Sequence, residues 1–446
     1  MTAGSVLIRG GTVVTVDAAF RVVTGDVLVE GDRIKRVGGT IRPGRGARVI
    51  DATGCAVIPG FVQAHVHLCQ ALFRGLADDL PLLEWLRKRI WPLEAAHNEN
   101  SLYASAMLGL AEMMKAGTTS ILDMGTVHGH DAVFTAMSDI GMSGFSGKAM
   151  MDQGLGVPVG LRESTRESVN ESVRLLETWH GRNDGRLRYA FAPRFILSCS
   201  ERLLRETANI ARATGALVHS HAAEHADERR AVKKALGRDD VDALRRFGVF
   251  GPNTVLAHGV QLTTNEMRRI AGDETRFVHC PSANLKLSSG IANVVAMQAA
   301  GIQVGLGADG APCNNRMDPW TEMRLAALLA KAKTGNAAAL PARDALRLAT
   351  HDGARVLGVH NETGSIEVGK RADLVVVRLD ALHATPDADV VSRLVYACGQ
   401  ADVKDVVAAG EVVVERGKLR AINEGRVREE AVREQRKLLK RAKLHA

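Results

Sequence analysis

Short apolar segments alternate with amphipathic stretches through the middle of this 446-residue chain. Eight of these segments are followed by a helical pattern, and they cover residues 60–66, 118–123, 143–149, 189–192, 216–221, 254–258, 276–279 and 302–307. Apolar runs of this length, each followed by an amphipathic helix, are typical of parallel strands with crossover helices. Eight consecutive units favour a closed (β/α)8 TIM barrel over an open α/β sheet.

A different pattern occupies both ends of the chain. Closely spaced strand-like segments with Gly and Asp turns fill residues 5–57, and similar segments return at 373–377 and 411–415. We therefore expect the termini to form one small composite β-sandwich. The predicted domains are 1–58 as the N-terminal part of the sandwich, 59–360 as the barrel, 361–423 as the C-terminal part of the sandwich, and 424–446 as a basic C-terminal helix.

Composition excludes several classes of protein. A hydrophobic content of 46% indicates a folded chain. No segment approaches the roughly 18 apolar residues that span a membrane, and no secretion signal is recognisable, so we expect a cytoplasmic protein. Its six cysteines form no CxxC pair, which predicts buried thiols and argues against a thiolate zinc site. The charge of +8 comes with only 4% aromatic residues, so we expect no nucleic-acid partner. We also expect no membrane partner, and we expect a homo-oligomer.

Polar side chains stand where the predicted strands end. In a barrel these ends meet at one mouth, so they are candidates for catalysis. A single HxH pair is more often structural than metal-binding, but imidazoles and a carboxylate at the ends of several strands together indicate a site. Three imidazoles and one carboxylate would leave an open position for water, as in catalytic zinc sites. The candidates are His65, His67, His219, His221, Glu224, His258, His279 and Asp309.

Four segments resemble the amidohydrolase superfamily. They are 59–67, with the HxH pair; 219–224, with an HxxE motif; 307–311, with the strand-8 aspartate; and 364–374, which leads back into the β domain. The resemblance implies a metal held by His65, His67, His221 and Asp309. Some members bridge two metals through a lysine on strand 4, but residues 188–193 contain none, so we expect one divalent ion, zinc first, with iron or manganese as alternatives.

The resemblance also implies a reaction, the hydrolytic deamination of a purine or related heterocycle. Asp309 would accept the proton of the attacking water, and His258 would orient the nucleophile or polarise the ring. Glu224 would protonate a ring nitrogen and then the departing amine. His219 is expected to be structural because the HxxE spacing selects His221, and His279 is expected to lie in the core or behind the ligands.

Residues 79–94 resemble the loop after strand 1 in deaminases of 5′-deoxyadenosine, methylthioadenosine and S-adenosylhomocysteine. The resemblance places Trp85 near the base, unless it only packs a helix, and Glu94 on the ribose hydroxyls. We therefore predict an adenosine-type nucleoside as the substrate, converted to its inosine analogue with release of ammonia.

Other residues favour alternatives. Gln70, Arg194 and Phe195 resemble the base-gripping residues of guanine deaminases, so guanine or 8-oxoguanine is a second candidate, although Arg194 could instead form a structural ion pair. Triazine chlorohydrolases or aminohydrolases and cyclic amide hydrolases would use the same metal site. The adenosine class ranks first because Glu94 has no evident use with a free base.

Overall fold

The computed structural model describes residues 4–444, so the outermost residues of two predicted segments, 1–3 and 445–446, lie outside the described residues. Within the described part, the strands in chain order are β1 Ser5–Val14, β2 Val22–Glu30, β3 Arg33–Val37, β4 Arg48–Asp51, β5 Cys55–Pro59, β6 Phe61–Val66, β7 Thr118–Met124, β8 Ser143–Gly147, β9 Ala149–Met150, β10 Leu187–Pro193, β11 Leu217–Ala222, β12 Thr254–His258, β13 Arg276–His279, β14 Val304–Leu306, β15 Leu374–Arg378, β16 Val403–Ala408, β17 Glu411–Glu415 and β18 Lys418–Leu419.

Eight parallel strands form the barrel. Their order is β14, β13, β12, β11, β10, β8, β7, β6, and β9 pairs with β10. An isolated parallel bridge between Val66 and Asp309 connects the two ends of this sheet, and the amide of Asp309 donates to the carbonyl of His65 at 3.1 Å. Strands β6, β7, β11 and β12 are buried along their whole length, as expected when both faces of a parallel sheet are covered.

The chain ends form a second, mixed sheet. Its order is β18, β17, β16, β15, β5, β1, β2, β3, and β4 pairs with β1. Strands from both ends meet where β15 runs antiparallel to β5, and valines such as Val13, Val57 and Val376 form its core. The predicted fold class, a barrel with a β domain built from both termini, is confirmed.

The chain divides into two compact units. One comprises the chain up to Gln63 with Ala111–Ser120 and Asp318–Asn423, and the other comprises Ala64–Leu110, Ile121–Met317 and the chain from Glu424 onward. All the candidate site residues belong to the second unit. The domain boundaries drawn from the sequence remain a proposal.

The helices in chain order are α1 Leu82–Trp85, α2 Trp91–Ala95, α3 Glu99–Lys115, α4 Asp131–Ile140, α5 Thr165–Trp179, α6 Arg182–Gly185, α7 Glu201–Thr214, α8 Ala226–Leu236, α9 Asp240–Arg246, α10 Thr264–Gly272, α11 Pro281–Lys286, α12 Val294–Ala299, α13 Ala311–Asn314, α14 Pro319–Thr334, α15 Ala342–Ala349, α16 His351–Val356, α17 Val390–Tyr396 and α18 Glu424–Ala442. Among the described residues, none of them is long and apolar enough to cross a membrane.

Two of these helical regions concern the site. A π-helical segment, Leu86–Ile90, joins α1 to α2. The amide of Trp91, the residue that follows this segment, donates to the carbonyl of Leu86. Helix α18 packs against α2 and against the short 3-10 helix Leu68–Phe73. Its Gln435 amide donates to the carbonyl of Leu72 at 2.6 Å, so the C-terminal helix is attached to the segment that follows the first barrel strand.

Candidate active site

The barrel brings the predicted imidazoles and carboxylates to one place. His65 and His67 lie at the end of β6, His221 in β11, His258 at the end of β12, and Asp309 three residues after β14. Two overlapping groups of side chains have metal-capable atoms within 4.8 Å of one another. These groups are His65, His67 and Asp309, and His65, His221 and His258.

Backbone carbonyls fix the tautomers of two of these histidines. The Nδ1 of His67 lies 2.7 Å from the carbonyl oxygen of Met124, and the Nδ1 of His221 lies 2.6 Å from that of Arg194. Because a carbonyl oxygen only accepts hydrogen bonds, each Nδ1 carries the proton and donates it. Each Nε2 therefore presents a lone pair to the centre of the site, which is the usual arrangement behind a metal-bound histidine.

A chain of hydrogen bonds fixes the tautomer of His65. The Nδ1 of His219 donates to the carbonyl of Val255 at 3.0 Å, so the Nε2 of His219 accepts the hydrogen bond from the Nδ1 of His65 at 2.7 Å. The Nε2 of His65 is left buried without a hydrogen bond. The structural role predicted for His219 fits this contact.

The bare nitrogens face each other. The Nε2 atoms of His67 and His221 are 3.2 Å apart, and Asp309 Oδ1 lies 3.3 Å from the Nε2 of His65 and 3.4 Å from that of His67. Two lone pairs at this distance repel unless a cation lies among them. Imidazole nitrogens and a carboxylate are ligands that zinc and similar divalent ions accept, so the residues present fit such an ion.

Burial sets the protonation of these groups. Desolvation lowers the pKa of His65 to about 4, and it also lowers the pKa values of His67, His221 and His258. Burial alone would raise the pKa of Asp309, but the contact with His65 and the positive charges that nearby histidines carry when protonated hold it well below its usual value. The site therefore offers neutral imidazoles beside the carboxylate of Asp309.

The pKa of Glu224 is shifted in the opposite direction to that of Asp309. Burial, and then the charge of Asp309, raise the pKa of Glu224 well above its usual value, so its carboxyl group binds a proton more tightly than an ordinary glutamate does. Its Oε2 lies 3.5 Å from the Nε2 of His258, which is buried without a hydrogen bond. A carboxyl group with a raised pKa beside the cluster of imidazoles is suited to donating a proton to a substrate.

Asn284 is a site residue that the sequence interpretation missed. Its Oδ1 lies 2.9 Å from the Nδ1 of His258, so it orients that ring as the carbonyls orient the others. Asn284 follows the end of β13 by five residues, in helix α11. Its position shortly after a barrel strand was the signal that could have found it.

The predicted substrate residues fall into two groups. Trp85, Arg194 and Phe195 line a cavity at the site, here called the inner cavity, together with Leu82, Leu86, Leu287 and the catalytic candidates; its free volume is about 20 Å³. Glu94 and Gln70 lie outside this lining. Glu94 accepts hydrogen bonds from Arg194 Nη1 at 2.6 Å, from Arg194 Nη2 at 3.1 Å and from Gln70 Nε2 at 2.8 Å.

Glu94 therefore forms a buried ion pair with Arg194. The Glu94 side chain is 0% exposed and that of Arg194 is 3% exposed. The ribose role predicted for Glu94 stays a prediction, and it would require a substrate to share or displace these bonds. The ion pair considered for Arg194 is formed, and it fixes the guanidinium that faces the inner cavity.

Three residues at the site have backbone conformations that are uncommon for residues other than glycine. Ala223, His258 and Asp309 have φ values of 52°, 83° and 62°. Such strain persists only where the surrounding structure enforces it, and it is often found at functional sites. Glycine is required nearby for a different reason, since a Cβ on Gly307 would lie 2.5 Å from the carbonyl oxygen of His65.

Known proteins are similar to this chain over nearly its whole length. The 5′-deoxyadenosine deaminase of Methanothermobacter thermautotrophicus is 39% identical over 425 residues, which cover 95% of this chain and 96% of that protein. The 5-methylthioadenosine/S-adenosylhomocysteine deaminase of Pelotomaculum thermopropionicum is 36% identical over 443 residues, or 98% of this chain and 99% of that protein.

A solved structure is similar over the same extent. The crystal structure of an adenosine deaminase from Xanthomonas campestris with bound Zn has a TM-score of 0.90 and 32% identity, and the match covers 98% of this chain and 99% of that one. A model described as the amidohydrolase family matches residues 56–413. The chain therefore belongs to the amidohydrolase family.

Proposed function

We propose that the chain is a metal-dependent aminohydrolase that deaminates an adenosine-type nucleoside. The product is the inosine analogue, and the amino group leaves as ammonia. The observation that carries this proposal is the convergence of imidazole nitrogens and the Asp309 carboxylate at one point, with the buried Glu224 carboxyl beside His258. The relatives named as 5′-deoxyadenosine and methylthioadenosine/S-adenosylhomocysteine deaminases support the substrate class.

The proposed metal ligands are His65, His67, His221 and Asp309. A divalent ion bound there supplies a nucleophile from water near neutral pH. Zinc is the proposed ion because imidazoles and a carboxylate are ligands that it accepts, and because the related adenosine deaminase structure has bound Zn.

The chain's own groups handle the protons. Asp309, ionised in the site, takes the proton of the attacking water. Glu224 gives its proton to a ring nitrogen of the substrate, takes a proton from the newly added hydroxyl group, and passes it to the amino group, which leaves as ammonia. His258 is held by Asn284 with its Nε2 toward the reaction centre, so it orients the nucleophile.

The base and sugar contacts complete the proposal. Trp85 and Phe195 pack against the purine in the inner cavity, and the Arg194 guanidinium, held by Glu94 and Gln70, faces it. We propose that Glu94 also reaches the ribose hydroxyls when substrate is bound. A cytoplasmic homo-oligomer with no nucleic-acid or membrane partner remains part of the proposal.

The test is a deamination screen with metal analysis on the same preparation. The panel contains 5′-deoxyadenosine, methylthioadenosine, S-adenosylhomocysteine, adenosine, guanine and 8-oxoguanine, and a triazine assayed for chloride release. Ammonia release from the adenosine compounds, lost in Glu224→Gln, is the expected result. Turnover of guanine or 8-oxoguanine alone would replace the proposal with the guanine alternative, and turnover unchanged in Glu224→Gln would remove the assigned acid.

A further inference from the structure

Three polar side chains form a buried hydrogen-bonded network behind the proposed metal ligand His67. They are Asp123 in β7, Ser146 in β8 and His130 just before α4, here called the Asp123 network. Their exposed fractions are 0%, 0% and 1%. None of them lines the inner cavity, and the proposed reaction assigns no step to them.

The network begins at the backbone beside His67. His67 is the first residue after β6, and its ring donates to the carbonyl of Met124. Asp123, which precedes Met124, accepts a hydrogen bond at Oδ1 from the amide of Leu68 at 2.7 Å. Leu68 directly follows His67. One bond thus holds the His67 ring and a second holds the backbone next to it, so together they fix the direction of its Nε2 lone pair.

The second oxygen of Asp123 is held from the next strand of the barrel. Ser146 Oγ donates to Asp123 Oδ2 at 2.5 Å. Because a hydroxyl group has one proton, this oxygen accepts the hydrogen bond from the Nε2 of His130 at 2.9 Å. Asp123 cannot rotate away from the Leu68 amide without breaking its bond with Ser146, so the two outer residues stabilise its orientation.

The chain makes room for the polar ring of His130. A Cβ on Gly125 would lie 2.4 Å from both Cε1 and Nδ1 of this ring, so glycine is required there. Among the described residues, the Nδ1 of His130 is buried without a hydrogen-bond partner. Such an atom costs free energy that an apolar side chain would avoid. The contact of Nε2 with Ser146 is therefore what a histidine adds at this position.

We propose that Asp123, Ser146 and His130 are positioning residues that hold His67 in place for the metal ion. Asp123 acts through the backbone of Leu68, Ser146 acts through Asp123, and His130 acts through Ser146. The imidazole is then directed before the ion arrives, so the free energy of binding is not spent on ordering it. This inference rests on the proposed function, because it takes His67 as a metal ligand.

The test measures the zinc affinity of the full chain without any substrate. Metal-free protein is titrated with zinc in competition with a chelating dye of known affinity. Asp123→Ala, which removes the acceptor for the Leu68 amide, should raise the zinc Kd by about 10- to 100-fold. Asp123→Asn keeps an oxygen acceptor at the same place and should stay within about threefold of wild type.

Two serines of β8 provide a matched pair of variants. Ser146→Ala removes the donor to Asp123 and should raise the zinc Kd by about tenfold. Ser143 is 1% exposed, and its hydroxyl has no hydrogen-bond partner in the described part of the chain, so Ser143→Ala should change the Kd by less than about twofold. In cobalt-loaded protein, the visible absorption bands respond to ligand geometry. They should shift in Ser146→Ala and not in Ser143→Ala.

His130 is tested with a second pair. His130→Leu removes the donor to Ser146 and should raise the zinc Kd several-fold, whereas His130→Gln keeps an N–H donor and should bind zinc nearly as wild type does. If Asp123→Ala does not fold, the serine pair decides.

The outcomes separate this inference from the proposed function. Wild-type zinc affinity in Asp123→Ala and Ser146→Ala overturns the inference. An equal loss in Ser146→Ala and Ser143→Ala also overturns it, because that loss would reflect a general loosening of β8. If the wild type binds zinc but deaminates no adenine nucleoside, the proposed function fails, and the affinities still decide the role of the network. A wild type that binds no divalent ion removes both.

Discussion

The buried pair of Glu94 and Arg194 makes a quantitative prediction about stability. Glu94→Gln removes the carboxylate and leaves the guanidinium, which is 3% exposed, with no counter-charge. An arginine cannot release its proton to escape this situation. Removing one partner of a buried pair costs roughly 3–5 kcal/mol, so we expect a loss of this size.

This loss in the free energy of unfolding can be expressed as a change in melting temperature. Unfolding entropy is about 2.1 cal/mol/K per residue near the transition, which gives roughly 0.9 kcal/mol/K if all 446 residues unfold together. Glu94→Gln should therefore lower Tm by roughly 3–5 °C in a calorimetric scan. Glu84→Gln is the matched control: it breaks an exposed pair with Lys88, and its Tm should move by less than about 1 °C. A Tm shift below about 1 °C in Glu94→Gln would refute the reasoning, and so would an equal shift in Glu84→Gln.

Three further predictions concern other parts of the site. Burial raises the pKa of Asp123 to about 7 from an ordinary value near 3.8. The folded state therefore holds this proton more tightly than the unfolded state, and wild-type stability falls as the pH rises between these values. Measured by denaturant titration, the stability of Asp123→Asn relative to wild type should rise by roughly 2–3 kcal/mol from pH 5 to pH 8. Gln435→Ala frees the carbonyl of Leu72 and should raise KM several-fold with little change in kcat, whereas Arg436→Ala should behave as wild type in the same steady-state assay. Gly307→Ala pushes on the backbone of His65 and should weaken metal retention during dialysis by about tenfold, and full retention would contradict that steric argument.

The sequence contained strong signals for the barrel and for the polar strand ends. His65 and His67 could be predicted as site residues because alternation places residues two apart on one face of a strand. Asp309 was accessible because the end of the last predicted strand must face the same mouth. The mixed sheet could be expected because strand patterns occur at both ends of the chain.

The partners that orient these groups could not be predicted in the same way. The carbonyls of Met124 and Arg194 accept hydrogen bonds from two imidazoles. Because every residue type has a backbone carbonyl, the sequence contains no signal for these contacts. Glu94 and Arg194 are 100 residues apart and meet only because the barrel closes. The positive φ of His258 is a tertiary effect, since no local preference of histidine requires it.

The π-helical segment has a consequence for how the length of this part of the chain can vary. A π turn contains one residue more than the α-helical turn it replaces, and its wider turn absorbs that residue. Deleting a single residue such as Lys88 would restore α-helical bonding and leave Trp85 and Trp91 in nearly the same relative orientation. The chain can therefore lose one residue beside the inner cavity without turning Trp85 away from it.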